Sequence, residues 1–367
     1  MKITFVLPCA DLSGGNRVIA TYAERLQNRG HQVQLVSVPH TPLTRKQQIR
    51  SLFQGKGWPS RTVTQPSHYD SIDVPHHVID HAPPIVCADL PDADVVVATW
   101  WETAEWVNAF PSEKGAKVYL IQHHEVFDYL PIDRVKATYQ MPLHKITISR
   151  WLDGLMRDEY GNRSVSLVPN SVDANLFHAP ARGKQDVPTV GLLYAPMRWK
   201  GVEVSLRAFA LAQAQIPNLQ LLCFGNCPPP AGLLPENAVF HLNPPQTKLK
   251  SLYAQCDVWL CGSYCEGFGL TILEAMACRT PSVSTSIGGA IDLIESGRNG
   301  YVVPVGDSAE LAKSLVQVLK LPESEWQAMS NAAYTTATSY SWDDATDRFE
   351  AALQQAIGQP MLINSGC

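Results

Sequence analysis

The sequence holds no apolar run of eighteen residues, so no segment is expected to span a membrane as a helix. Its opening, Met1-Lys2-Ile3-Thr4-Phe5-Val6-Leu7-Pro8, is strand-like and lacks the long apolar core of a signal peptide. Regular cysteine spacing is missing as well: of the 9 cysteines, Cys223/Cys227 and Cys261/Cys265 are separated by three residues rather than two. Such a pattern favours neither a zinc site nor a disulfide framework, and is expected of reduced thiols in the cytoplasm. Positive charge is in deficit, 29 basic side chains against 34 acidic, which makes nucleic acid a poor partner.

What is present fits a globular chain of two domains: 367 residues, with 45% hydrophobic and 17% charged side chains. Ile3 to Leu7 reads as a buried strand, followed by Ser13-Gly14-Gly15-Asn16-Arg17 and a helical pattern through Val18, Tyr22 and Leu26 that ends at Gly30. Gln32 to Val38 is the next strand. The turn between strand and helix carries a Gly-Gly pair, not the three spaced glycines of a dinucleotide fingerprint, and no acid closes the second strand. A nicotinamide cofactor is therefore not expected. Gly14 and Gly15 either make a plain tight turn or let backbone approach a phosphate or sugar.

Residues 40–90 do not read as regular structure. Within them, 44–61 carries Arg45, Lys46, Arg50, Lys56 and Arg61 without an acid, interleaved with Leu52, Phe53 and Trp58. That composition is a solvated basic loop, a peripheral contact with an anionic membrane surface, or a lid over an acceptor site. His76, His77 and His81 lie among prolines and read as surface histidines. Asp92 and Asp94 precede the strand Val95 to Thr99, the wrong end for a ligand in an open α/β sheet. Trp100, Trp101 and Glu102 lie at the correct end. After the strand Val118 to Ile121 come Gln122-His123-His124-Glu125, placed to hydrogen-bond a substrate. Ser149 is positioned to cap a helix from Trp151.

The second half restarts the rhythm at Thr189 to Leu193. The following loop, Tyr194 to Gly201, brings Arg198 and Lys200 to a helix start, a compact anion site. Further strands are expected over 219–224, 257–261, 282–285 and 300–304, with helices over 249–256, 307–319 and 325–337 and a final amphipathic one from Ser341. Between strand and helix lies Cys265-Glu266-Gly267-Phe268-Gly269-Leu270-Thr271-Ile272-Leu273-Glu274. Two glutamates about a glycine turn suit a ligand with a negative group near the helix start and hydroxyls beside it. The chain thus reads as two doubly wound α/β halves with a cleft between them.

Taken together, these motifs resemble the family-4 retaining glycosyltransferases of the GT-B fold. The resemblance is strongest over residues 266–304, which look like that family's E-x7-E signature with its Gly-Gly continuation. Residues 168–177, VPNSVDANLF, look like its PNGVD motif with Ser171 in place of glycine. SGGNRV (13–18) and the Arg198/Lys200 loop match too, although Arg198 stands closer to Lys200 than the family usually has it. Asp292 replaces a common glutamate. The resemblance implies two Rossmann-like domains, 1–170 and 187–340, with 341–367 crossing back to the first. It implies a nucleoside diphosphate sugar as donor, a glycan or lipid-linked or small-molecule acceptor, and no metal. Glu274 would hold the ribose hydroxyls and Glu266 those of the transferred sugar. Arg198, Lys200 and the Gly267, Phe268, Gly269 and Leu270 amides would hold the diphosphate, aided by Gly14 and Gly15. His123 would face the donor sugar, with His124, Trp101 and Glu102 towards the acceptor. A sugar-nucleotide epimerase and a non-catalytic sugar-nucleotide-binding subunit are the alternative readings. A family-level setting in bacterial surface polysaccharide synthesis implies a cytoplasmic protein, peripheral on the inner membrane face.

Overall fold

The computed structural model describes residues 1–40, Leu52 and 65–358. Apart from Leu52, the basic segment 44–61 lies outside these residues. The chain divides into two compact units. Unit 1 takes Met1–Thr147, Gly154–Leu167 and the segment from Thr346 on; unit 2 takes Ile148–Asp153 and Val168–Ala345. The chain passes to unit 2 after Leu167 and stays there to Ala345.

Unit 1 is built on seven strands: β1 (Lys2–Leu7), β2 (Gln32–Ser37), β3 (His76–Val78), β4 (Val95–Ala98), β5 (Ala116–Ile121), β6 (His144–Thr147) and β7 (Val165–Leu167). Their spatial order is β3-β2-β1-β4-β5-β6-β7, all pairings parallel. Parallel strands are covered on both faces, which is why β1 and β4 read as nearly unbroken apolar runs and are buried throughout, Lys2 excepted. The helices are α1 (Gly14–Asn28), α2 (Trp101–Ala109) and α3 (Ile132–Gln140). On α1, Val18, Ile19, Tyr22, Ala23 and Leu26 are buried at helical spacing, and Ser13 caps its start.

One part of unit 1 differs from the sequence expectation. The stretch 40–90 contains β3, an edge strand held to β2 by register and by a 2.8 Å hydrogen bond between His76 Nε2 and Ser37 Oγ. A three-residue strand offers no periodicity to read. Helix α2 follows β4 after residues 99–100, whereas the longer loop 122–131 separates β5 from α3. Each helix is only 9 residues long, with Trp101, Ala104 and Val107 marking the buried side of α2.

Unit 2 has β8 (Thr189–Leu193), β9 (Gln220–Gly225), β10 (Val239–Leu242), β11 (Val258–Cys261), β12 (Ser282–Thr285) and β13 (Gly300–Val303), in the order β10-β9-β8-β11-β12-β13 and again all parallel. Its helices are α4 (Val202–Gln213), α5 (Gln246–Ala254), α6 (Leu270–Ala277), α7 (Ser308–Lys320) and α8 (Glu323–Thr338). A core of Val190, Phe209, Leu221, Leu260, Val283, Leu315 and Trp326 sits between sheet and helices. The last helix, α9 (Trp342–Gly358), belongs to unit 1 from Thr346 on. There Phe349 stacks on Tyr22 at 4.3 Å, and Arg29 pairs with Asp347 at 2.6 Å and Glu350 at 3.2 Å. No helix among the described residues is long and apolar enough to cross a membrane.

In each unit the strand order reverses once, between β1 and β4 and between β8 and β11. Ligands of open α/β sheets gather at the carboxyl ends of strands beside such a reversal. That rule selects the loops after β1 and β4 in unit 1, and those after β8 and β11 in unit 2.

Candidate active site

In unit 2 the loop after β11 is tied to the loop after β8 and to the start of α4. Tyr264 N–H donates to the Trp199 carbonyl at 2.7 Å, and Gly262 N–H donates to Ser205 Oγ at 3.0 Å. Close approach is possible because Gly201 stands at φ +53°, where a Cβ would lie 1.9 Å from the Gly262 carbonyl oxygen. The result places Lys200 against Glu266: Nζ donates to Oε1 at 2.7 Å and to Oε2 at 2.8 Å. Both side chains are mostly buried, 23% and 14% exposed. Burial alone would lower the Lys200 pKa; the charge of Glu266 and its hydrogen bonds outweigh that and raise it. Lys200 is therefore a fixed positive charge.

Ser263 completes this group. Its hydroxyl lies 2.9 Å from Glu266 Oε1 and 3.4 Å from the Lys200 carbonyl, while Thr285 Oγ1 donates to the Ser263 carbonyl at 2.6 Å. Arg198, by contrast, is exposed two residues before Lys200. Sequence reasoning passed over Ser263, whose only signal was its place three residues before Glu266 on the carboxyl end of β11.

The loop 266–269 runs into α6, whose start no side chain caps and whose first turn has no acid. An uncapped helix start leaves backbone N–H groups for an anion. Gly269 turns the chain at φ +92°. The Gly288–Gly289 pair proves to be a packing device: a Cβ at Gly288 would lie 2.0 Å from the Glu266 carbonyl oxygen, and one at Gly289 2.3 Å from that of Phe268. One turn into α6, Glu274 is buried at 4% exposure and accepts from the Tyr253 hydroxyl at 2.7 Å. Tyr253 is a second residue that the sequence reading did not single out.

Other motif positions have local roles. Asp292 Oδ2 accepts from the Arg150 N–H at 2.9 Å, and burial raises its pKa. Ser149 caps as expected, accepting from Leu152 N–H at 3.3 Å. Among described non-glycine residues only Asn243 and Arg279 have positive φ, so serine at 171 meets no backbone strain.

In unit 1, Gly14 and Gly15 are not in a tight turn; they form the first residues of α1, with Gln122 Nε2 donating to the Gly15 carbonyl at 3.3 Å. Beside them Asn16 is held by Asp11 and Tyr69, at 2.6 and 2.8 Å. His123 sits after β5, half-buried, with Nδ1 3.0 Å from the His124 carbonyl oxygen and its ring 5.0 Å from Phe127. His124 is turned to Tyr160, Nε2 to hydroxyl 2.8 Å, and is pushed down to about 4 by burial, with His123 and Lys136 adding to it. Trp101 is buried at 4% exposure beneath the Arg134 guanidinium, 5.0 Å away. Glu102 is half-buried, and burial raises its pKa. The acid that organises this corner is Glu125. Buried at 1% exposure, its Oε2 accepts from Trp101 N–H at 2.9 Å and from the Tyr119 hydroxyl at 3.2 Å, and burial drives its pKa well up. Asp92 and Asp94 are structural, pairing with Lys114 at 3.1 Å and accepting from Lys2 N–H at 2.7 Å.

Residues 181–336 match the family described as glycosyl transferases group 1. D-inositol 3-phosphate glycosyltransferase of Mycobacterium avium (strain 104) is 36% identical over 116 residues, 31% of this chain and 27% of that protein. The protein of the same name from Mycobacterium leprae (strain Br4923) is 31% identical over 176 residues, 43% of this chain and 40% of that one. The chain thus spans well under half the length of these curated relatives. Sucrose-phosphate synthase from Thermosynechococcus elongatus has a similar fold, with a TM-score of 0.74 at 18% identity over 97% of this chain and 98% of that one. So does Anabaena HepE in complex with UDP and glucose, with a TM-score of 0.71 at 18% identity over 97% and 100%. The fold is GT-B: two Rossmann-like parallel-sheet domains.

Proposed function

We propose that this chain is a retaining glycosyltransferase that moves a sugar from a nucleoside diphosphate sugar to a glycan, lipid-linked or small-molecule acceptor. The observation that carries this reading is the Lys200–Glu266 pair at the strand reversal of unit 2, beside an uncapped helix start and a buried Glu274. A diphosphate meets Lys200, Arg198 and the amides of Gly267, Phe268, Gly269 and Leu270. Glu274 holds the ribose hydroxyls and Glu266 those of the transferred sugar. In unit 1, His123 serves the transferred sugar, with His124, Trp101 and Glu102 on the acceptor side; of these, the buried Trp101 and the Tyr160-bound His124 act by shaping that corner. The group 1 match over 181–336 and the names of the mycobacterial relatives favour this class.

The chemistry follows from charge. As the bond between anomeric carbon and phosphate oxygen breaks, the sugar becomes oxocarbenium-like and the diphosphate gains negative charge. Lys200, Arg198 and the α6 start stabilise that charge without a metal. The acceptor oxygen bonds to the anomeric carbon on the face the phosphate leaves, and the departing phosphate oxygen takes its proton. Glu266, paired to Lys200, is a binding group and not a covalent nucleophile of the hydrolase kind. Incubating the protein with α-linked nucleotide sugars and EDTA, and following the first-formed product by proton NMR, checks this. An α-configured product at full rate is expected, with water as acceptor if no other is supplied. A β-configured product, or strict dependence on added divalent metal, would overturn it.

A further inference from the structure

Glu274, one turn into α6, is 4% exposed, so its carboxylate is set by the groups packed around it. One of these comes from α5. Tyr253, near the end of that helix, is 0% exposed and donates its hydroxyl to Glu274 Oε2 at 2.7 Å. A hydrogen bond to an ionised carboxylate is short and strong, and fixes direction as well as distance. The phenol is itself immobilised edge-on by Trp259 at 4.7 Å, Phe224 at 5.6 Å and Phe177 at 6.1 Å. Two of these partners come from strands β9 and β11, and Phe177 from the VPNSVDANLF segment. A rigid sheet and a distant loop are thereby connected to one carboxylate through one hydroxyl.

Complete burial keeps Tyr253 from touching any ligand. We propose that Tyr253 is a positioning residue: its hydroxyl holds Glu274 in the orientation that accepts the vicinal hydroxyls of a nucleotide ribose. This rests on the reading of Glu274 given above. Removing the hydroxyl alone, with Tyr253→Phe, keeps the aromatic packing and lets the carboxylate turn.

The test is a double-mutant cycle on nucleotide binding by the full chain, with UDP, GDP and ADP as probes and the tightest taken forward. Tyr253→Phe is expected to weaken that nucleotide about tenfold, the scale of a hydrogen bond to a charged group. Glu274→Ala should weaken it at least as much, and adding Tyr253→Phe to Glu274→Ala should cost nothing more. In turnover, the Tyr253→Phe loss should fall on donor KM rather than on kcat. Should the alanine chain not fold, Glu274→Leu takes its place in the cycle. Additive losses, or wild-type binding by Tyr253→Phe, would overturn the positioning role while leaving the ribose reading standing. Wild-type binding by Glu274→Ala would instead overturn the ribose reading, and the positioning role with it.

Discussion

At the scale of single residues, the candidate site adds to the Lys200–Glu266 ion pair a set of partners that carry no charge. Ser263 is one: its hydroxyl reaches Glu266 Oε1 at 2.9 Å, so it restrains the carboxylate that Lys200 also grips. Ser263→Ala removes this restraint and leaves the diphosphate contacts intact. Its expected effect is a fall of about tenfold in sugar transfer with unchanged affinity for the nucleotide selected by the binding screen; equal losses in both would show that Ser263 supports the whole loop and not Glu266. The contrast with Arg198 is instructive. Sequence reading joined Arg198 and Lys200 in one anion site, with Arg198 closer to Lys200 than the family usually has it; the short turn after β8 buries Lys200 against Glu266 and leaves Arg198 exposed. Charge pattern found both, and only three-dimensional packing separates them. Glu274 was legible from the E-x7-E spacing, whereas Tyr253 was not, because a tyrosine near a helix end looks like core until its hydroxyl is seen to donate to Glu274.

At the scale of elements, the long buried strands were legible because parallel sheets covered on both faces demand continuous apolar runs. The edge strand β3, with His76 and His77 in it, and the exposed β10 gave no such signal. The Gly-Gly pairs divide in the same way. Gly288 and Gly289 read correctly as part of one motif with Glu266, and the reason is steric: they let the 266–268 backbone lie against them. Gly14 and Gly15 looked similar in sequence and turn out to begin α1. Strand β6 brings a further consequence. Lys145 on it is 1% exposed, donates to the Met141 carbonyl, and is pushed by burial from 10.5 down to about 7. Between those values the unfolded chain holds a proton that the folded unit has released, so stability rises with pH from about 7 towards 10. The gain is on the order of a few kcal/mol for this one group. Chemical denaturation across that range should show the slope, and Lys145→Met should flatten it; an unchanged slope would mean that Lys145 is not its source.

At the scale of the molecule, two copies of one architecture have been put to different uses. Both units wind a parallel sheet with a single strand reversal. Unit 1 fills its reversal with a hydrogen-bonded polar network around Asn16 and a buried corner around Glu125, whose pKa burial raises. Unit 2 keeps an ion pair and an open helix start there. Anion binding is thus expected from unit 2, and the family match falls on that unit alone, over residues 181–336. The account stands or falls on whether the Lys200 charge serves a leaving diphosphate. A nucleotide sugar selected by thermal shift should be consumed by the wild-type protein, and the same rate should be measured for Lys200→Ala at saturating donor. The account predicts a fall of about 10²-fold or more, the scale for one lost charge stabiliser. A Lys200→Ala chain that transfers sugar at the wild-type rate would contradict it.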